Sequence, residues 1–249
     1  MKTKFLHIAT ALLFAGFTSS CSDFLDRYPL DELSDSSFWK TENDAMMAVT
    51  DIYGCLPTWD QDEDINSDNA VHGIKWAAGN ISKGIYDPMD QSWAGSYTPI
   101  RQCNLVLEKV KDIEMSDESR KKIEGQAYFF RAFVYFNLIR SFGDVPYIDK
   151  PLNLTDVEDI TRTPREEVYA KVMADFDKAI EYLPEEWDAA NTPRVTKGAA
   201  LAMKARAALY YNNWQVAADA SKAVMDLGKY ELYAVSYTHL RAHETRGNL

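Results

Sequence analysis

Apolar residues recur at intervals of three and four positions along most of this chain, which is the spacing of an α-helix. The longest such run begins at Ser116 and ends at Gly143, and apolar side chains also occupy the other faces of this segment. Ser116 suits the first position of a helix, and Gly143 can adopt the left-handed conformation that often ends one. A helix that is apolar nearly all round must lie inside the fold. The pattern therefore predicts a central, buried helix over 116–143.

Three amphipathic helices are predicted around this central segment. Residues 41–56 and 96–112 each carry one apolar stripe, and both precede it in the chain. The third follows it and has a clear start signal. Thr163 is predicted to cap this helix, because Pro164 fits the first helical position and Glu166 completes a capping box.

The last helical segments form a pair, over 196–212 and 213–227, and Gly228 is the predicted stop. The pair is about as long as the 34-residue tetratricopeptide repeat. Small residues at the contact let such helix pairs pack closely and stack into repeat arrays. Because only one such pair is recognisable, we expect its outer apolar face to be uncovered. The small residues are Ala200, Ala205, Ala207, Ala208, Ala217, Ala220 and Ala223.

Residues 57–95 lack helical spacing and form a long loop between the first two predicted helices. The segment mixes Asp, Asn, Ser and Gly with three tryptophans and a tyrosine. Loops of this length inside a compact domain are usually functional or disordered, and the aromatic residues argue against disorder. We therefore expect this inserted loop to carry function.

The N-terminus reads as a secretory signal peptide over 1–20. Two lysines precede a short apolar run, and small hydroxyl residues lead up to Cys21. A cysteine directly after the cleavage point can receive acyl chains, and each buried methylene adds about 0.8 kcal/mol of membrane affinity. Cys21 is therefore the predicted lipid anchor.

Composition narrows the class of partner. Hydrophobic residues make up 46% of the chain, which is typical of a globular protein. The formal net charge is −11, which disfavours nucleic acid as a partner because phosphate binding relies on clustered Lys and Arg. Cys55 and Cys103 lack metal-ligand spacing. We expect two buried thiols, with a disulfide in an oxidising compartment as the alternative.

Several short motifs fail on their decisive residues. "GNISKGI" has Ile85 in place of the P-loop lysine, which argues against nucleotide binding. "DQDEDINSD" lacks the glycine and the final glutamate of a calcium loop. We expect "DQDEDINSD" to be a solvated acidic loop, with adventitious calcium binding as the alternative. His239 and His243 have no third zinc ligand. No catalytic triad is recognisable, whereas paired carboxylates of a glycosidase have no spacing rule and stay open. We expect no catalytic residue, metal or cofactor.

Five stretches of the chain resemble the N-terminal half of the SusD/RagB family. These are surface lipoproteins with which Bacteroidetes capture nutrients for a TonB-dependent outer-membrane transporter. In chain order the stretches are "CSDFLDRYPLDELSDSSFWKTENDAMMAV", "YTPIRQCNLVLEKV", "QAYFFRAFVYFNLIRSFGDVPYI", "TPREEVYAKVMADFDKAIEYLP" and "TPRVTKGAALAMKARAALYYNNWQVAADASKAVMDLGKYEL".

This resemblance implies an all-α protein of tetratricopeptide-like helix pairs whose inserted loops form a ligand face. It further implies binding of oligosaccharide or polysaccharide without enzymatic activity, and delivery to a TonB-dependent transporter. Cys21 would then hold the protein at the outer membrane, facing outward. A peptide-capturing RagB-like protein and a helical protein–protein scaffold are the alternative functions.

The resemblance does not identify the ligand-binding residues. Trp76, Asn80 and Tyr86 lie in the inserted loop, where a flat aromatic side chain near an amide suits a sugar ring. The alternative is that they cover a small core of the loop itself. Arg131 and Arg140 lie on the central helix and are expected to pair internally with carboxylates.

The predicted organisation has three parts. Residues 1–20 are the signal peptide, and 21–234 are a helical domain that is truncated relative to the family, whose members are about twice as long. Residues 235–249, "VSYTHLRAHETRGNL", do not resemble the family and are expected to be a non-native tail.

Overall fold

The computed structural model describes residues 38–57, 93–157 and 159–231, and these ranges contain six α-helices and no strand. The prediction of an all-α fold is confirmed. The chain divides into two units, Met1–Trp39 and Lys40–Leu249, and these six helices belong to the second. The helices are α1 (Glu42–Ile52), α2 (Trp93–Lys109), α3 (Asp117–Phe142), α4 (Arg165–Tyr182), α5 (Lys197–Tyr210) and α6 (Trp214–Asp226).

Helix α3 is the centre of the fold, as its all-round apolar pattern predicts. It packs most extensively against α4, and also against α2 and α1. Its N-cap is Ser116, whose Oγ accepts a hydrogen bond from the backbone N–H of Ser119 at 3.1 Å. Gly143 ends it with a φ of 71°. Its largest fully buried side chains are Tyr135, Phe130, Phe136, Ile123, Leu138 and Gln126.

Gly143 has a backbone conformation that disfavours any residue with a Cβ. Its φ of 71° and ψ of −119° lie in a region populated almost only by glycine. We expect Gly143→Ala to lower the free energy of unfolding by about 1–3 kcal/mol in urea titrations followed by circular dichroism. Gly54→Ala is the control, since nothing lies within 4 Å of the added Cβ and φ is not positive. Equal losses for both variants would contradict this explanation.

The predicted cap of α4 is wrong, although the helix is present. Its N-cap is Pro164, and no side chain of the cap residue bonds to the helix. The backbone of Thr163 instead pairs with Val145 in an isolated antiparallel bridge, with N···O distances of 2.9 and 3.2 Å. The N–H of Arg165 is satisfied by Oδ1 of Asp144 at 2.9 Å. The loop after α3 therefore caps α4 from a distance.

The last helix pair, α5 and α6, has its predicted caps and its small-residue contact. Thr196 Oγ1 accepts from the N–H of Ala199 at 3.3 Å, and Gly228 ends the pair with a φ of 63°. Several of its alanines are buried. Four large apolar side chains of the pair are more than half exposed: Leu209, Tyr210, Trp214 and Met225.

A buried ion pair joins α3 to α4. Nε and Nη2 of Arg131 donate to the two carboxylate oxygens of Asp175, each at 2.7 Å, and Nη1 donates to Oδ1 of Asn104 on α2 at 2.8 Å. Asn104 Nδ2 in turn donates to the carbonyl of Ile148 at 2.9 Å. Three helices and the segment after α3 are thus held by one polar network.

Burial opposes the charge on both members of this pair. For Arg131, burial is the largest single influence and lowers the pKa, but the hydrogen bonds and the negative charge of Asp175 together raise the pKa above its usual value. For Asp175, burial raises the pKa against the lowering effect of Arg131. We expect both groups to be charged at neutral pH, because the bidentate geometry and Asn104 satisfy the guanidinium. The prediction that Arg131 pairs internally is confirmed.

The matching prediction for Arg140 is wrong. Its side chain is exposed, and its guanidinium lies over the ring of Phe136 at 6.0 Å from the centroid. Arg140 stands in the last turn of α3. Positive charge there interacts favourably with the helix dipole and needs no buried partner.

None of the described helices is long and apolar enough to cross a membrane. Within the same ranges, no group of three His, Cys, Asp or Glu side chains is arranged to hold a metal ion.

Cys103 is fully buried and Cys55 is half-buried, and both are free thiols. The two buried thiols expected from the sequence are therefore confirmed for Cys103 and partly for Cys55, and the disulfide is not formed.

Candidate functional site

An open pocket lies between the end of α1, the first half of α2 and the middle of α3. Its volume is about 490 Å³, and it is open to solvent. Ligand sites are typically clefts of roughly 300–1,000 Å³ that combine apolar walls with a few polar groups. The pocket is lined by Asp51, Gly54, Cys55, Gly95, Ser96, Thr98, Pro99, Gln102, Phe133, Val134 and Asn137.

Asp51 and Gln102 bridge the rim between α1 and α2. The amide Nε2 of Gln102 donates a hydrogen bond to Oδ2 of Asp51, and both side chains are close to solvent. This contact leaves the other oxygen of Asp51 and the amide oxygen of Gln102 available as acceptors. The rim can therefore accept hydrogen bonds from a ligand that carries hydroxyl groups.

Asn137 is the polar group on the α3 side of the pocket. Its side chain is half-buried and makes no hydrogen bond within the described part of the chain. An amide carries two donors and an acceptor, and a sheltered amide gains by pairing them. The amide of Asn137 can therefore form hydrogen bonds with a ligand that enters the pocket.

Pro99 adds a backbone acceptor to the pocket. It stands inside α2 and has no N–H, so the carbonyl of Gly95 loses its intrahelical partner from position 99. Gly95 lines the pocket. Because glycine has no side chain, a ligand can approach this carbonyl closely.

Phe133 forms much of the apolar wall. It is half-buried and stacks on Phe129 with an interplanar angle of 10° and a centroid distance of 6.3 Å. This stacking fixes the orientation of the ring. An oriented aromatic ring beside amide and carboxylate groups can pack against the C–H face of a sugar while its hydroxyls bond to the polar rim.

Cys55 lines the same pocket with an unreactive thiol. Burial raises its pKa to about 11. Only the thiolate is nucleophilic, so we expect alkylation of Cys55 by iodoacetamide at pH 8 to be roughly 100-fold slower in the folded chain than in urea. Peptide mapping by mass spectrometry measures this residue separately from the other cysteines. Labelling at equal rates in both states would contradict a sheltered thiol.

The residues predicted from sequence to bind ligand do not lie in the described part of the chain. Trp76, Asn80 and Tyr86, like the anchor Cys21 and the tail 235–249, fall outside it. The described chain stops at Pro57 and resumes at Trp93, and residues close to both positions line the pocket. Described residues on both sides of the inserted loop in the sequence therefore line this site.

Sequence reasoning did not identify the pocket residues. Asp51, Gln102 and Asn137 come from three separate helices and share no local motif. One signal was present in the sequence, because Asn137 interrupts the apolar run "FVYFNLI" of the buried helix α3. A polar residue in such a run marks either a buried hydrogen bond or a ligand contact.

Comparison with known proteins places the chain in a family. The model of the SusD-like family described as "Starch-binding associating with outer membrane" matches residues 24–209. SusD-like protein P2 of Formosa agariphila is 29% identical over 240 residues, which cover 90% of this chain and 46% of that protein. A SusD-like protein of Bacteroides ovatus is 26% identical, over 86% of this chain and 40% of its own length.

Solved structures give the same result for the fold. The crystal structure of a SusD-like protein from Bacteroides fragilis matches with a TM-score of 0.73 and 28% identity, over 83% of this chain and 42% of that one. A laminarin-binding SusD-like protein matches with a TM-score of 0.68 and 24% identity, over 74% and 43%. The chain spans less than half the length of these relatives. Its sequence and its helical fold together show that the chain belongs to the SusD-like family.

Proposed function

We propose that this chain binds oligosaccharide or polysaccharide at the outer membrane surface and passes it to a TonB-dependent transporter. Cys21 is the proposed lipid anchor, after removal of residues 1–20. Catalysis is not part of this proposal. The family described as starch-binding supports the glycan, and the pocket between α1, α2 and α3 is the proposed point of contact.

The observation that carries the proposal is that one open pocket combines the ring of Phe133 with the amide of Asn137 and with the acceptor oxygens that the Asp51–Gln102 contact leaves available. A neutral sugar ring presents an apolar face and a belt of hydroxyls, each of which donates and accepts. Phe133 suits the face, and Asn137 together with the rim at Asp51 suits the hydroxyls. The volume of about 490 Å³ falls within the usual range for clefts that bind small ligands.

The test is a binding titration of the purified chain with two neutral glucans, starch oligosaccharides and laminarin, by isothermal titration calorimetry. Starch follows from the family description and laminarin from the named structural neighbour. We expect Phe133→Ala to weaken binding about tenfold through lost ring contact. Asn137→Ala is expected to weaken it severalfold by removing a hydrogen bond.

Gln215→Ala is the matched control, because Gln215 is an exposed amide on α6 whose partner is Asp219 at 2.9 Å. It should leave glucan affinity unchanged. Glucan binding that survives both pocket variants would move the site elsewhere in the chain. Binding of peptides but of no polysaccharide would instead favour the RagB-like alternative.

A further inference from the structure

A second, smaller pocket lies between α2 and the segment that follows α3. Its volume is about 150 Å³, and six residues line it: Tyr97, Ile100, Arg101, Ile148, Lys150 and Leu152. Four of these side chains are apolar or aromatic, and two are positively charged. This volume equals that of about five water molecules at roughly 30 Å³ each. The pocket is therefore large enough for one small ring and too small for several linked rings.

Hydrogen bonds fix both walls of this pocket before any ligand arrives. Tyr97 Oη on α2 donates to the carbonyl of Pro146 at 3.1 Å. The carbonyl of Ile148 accepts from Asn104 Nδ2 at 2.9 Å, and from Tyr135 Oη at 3.1 Å. A wall held in place from two helices binds a ligand without the cost of ordering a loop.

The two cations of the pocket have no carboxylate partner. Neither Arg101 nor Lys150 makes an ion pair within the described residues. The chain as a whole is acidic, with 38 Asp and Glu against 27 Lys and Arg. The side chains of Arg101 and Lys150 therefore make this pocket locally positive in a protein that is acidic as a whole. A negatively charged ligand would be attracted to it.

An adjoining depression of about 340 Å³ limits where that anion can sit. It shares Ile148, Lys150 and Leu152 with the small pocket and is also lined by Asp149, Asp156 and Asp159. These carboxylates repel an anion and accept hydrogen bonds from hydroxyls. Arg101 lines only the small pocket. The negative group of a ligand belongs beside Arg101, and neutral hydroxyl groups belong beside the carboxylates.

We propose that the pocket formed by Tyr97, Ile100, Arg101, Ile148, Lys150 and Leu152 binds a uronic acid residue. The ring would pack on the apolar floor while its carboxylate bonds to Arg101, with Lys150 adding charge. Arg101 can offer two parallel N–H donors, the geometry that a carboxylate accepts best. This site is separate from the pocket at Asn137, and its ligand is an acidic sugar where the first pocket suits neutral ones.

The test is a titration of the full chain carrying ¹³C-methyl isoleucine, because Ile100 and Ile148 report on this pocket directly. Methyl β-glucuronide and methyl β-glucoside differ only in a carboxylate against a hydroxymethyl group. We expect the glucuronide to shift both methyl signals in a saturable way, and the glucoside to bind at least about tenfold more weakly. Acetate should also bind more weakly, since it lacks the ring.

Two variants assign the effect to the cations. Arg101→Ala and Lys150→Gln are each expected to weaken glucuronide binding about tenfold, whereas Arg140→Ala, an exposed arginine on α3 outside the pocket, should not. Unchanged methyl signals of the buried Ile123 and Ile139 show that each variant is folded.

Three results would overturn the proposal: equal affinity for glucoside and glucuronide, acetate binding as tightly as the glucuronide, or no shift of Ile100 and Ile148. None of these bears on glucan binding at Phe133 and Asn137, which is measured with neutral ligands. The two proposals can therefore fail separately.

Discussion

Replacement of Asp175 by alanine is expected to lower the free energy of unfolding by about 3–5 kcal/mol. The variant leaves the guanidinium of Arg131 buried without its carboxylate, since the side chains of both residues are only 8% exposed. It also loosens Asn104, which bonds to Arg131 at 2.8 Å and holds the segment after α3. The loss would appear as a lower urea midpoint in circular dichroism with an unchanged dependence on urea.

Asp177→Ala is the matched control for this result. Asp177 lies two residues further along α4 and pairs with Lys204 at 2.5 Å, but its side chain is 59% exposed. An exposed ion pair contributes at most about 1 kcal/mol, so this variant should change little. Equal destabilisation by the two variants would mean that burial is not the source of the effect.

The double variant Arg131→Met with Asp175→Leu separates the attraction from the cost of burial. It removes both charges and keeps apolar volume, and buried ion pairs can often be replaced in this way with little loss. We expect it to be more stable than Asp175→Ala alone. A double variant as unstable as the single one would instead assign the main role to hydrogen bonds with Asn104.

The helices and most of their ends could be predicted because their signals are local. Thr41 and Asp44 form a reciprocal capping box in α1, and Ser116 and Gly143 bound α3 as their chemistry requires. Thr163 shows the limit of this reasoning. Its sequence context is a good cap, but pairing with Val145 gives its backbone another role.

Contacts between distant residues could be predicted only in kind. A buried arginine needs a carboxylate, which correctly predicts a partner for Arg131 but does not single out Asp175, 44 residues away. The same reasoning failed for Arg140, because sequence does not tell which face of a nearly all-apolar helix reaches solvent. The pocket at Asn137 depends on how three helices pack, and no spacing rule encodes that arrangement.

Phe130→Ala is expected to lower the free energy of unfolding by about 3–5 kcal/mol, the usual loss for a fully buried phenylalanine. The ring of Phe130 is 0% exposed and packs edge-on against Tyr53, at a centroid distance of 4.5 Å, and against Phe129 at 5.3 Å. Truncation leaves a cavity at the point where α1 meets α3. Urea titration measures the loss, and Phe130→Leu, which fills more of the cavity, keeps the experiment informative if the alanine variant does not fold.

Phe133→Ala on the same helix should lower stability less than Phe130→Ala does and weaken glucan binding more. Its ring is half-buried at the wall of the open pocket, so its removal is expected to cost only about 1–2 kcal/mol of stability. The same variant should weaken glucan binding about tenfold, whereas Phe130→Leu should leave binding unchanged once the protein is folded. Loss of binding in proportion to loss of stability across all three variants would mean that Phe133 acts only through the core. A separation of the two effects would instead assign Phe130 to the fold and Phe133 to the ligand, although the two residues are less than one helical turn apart.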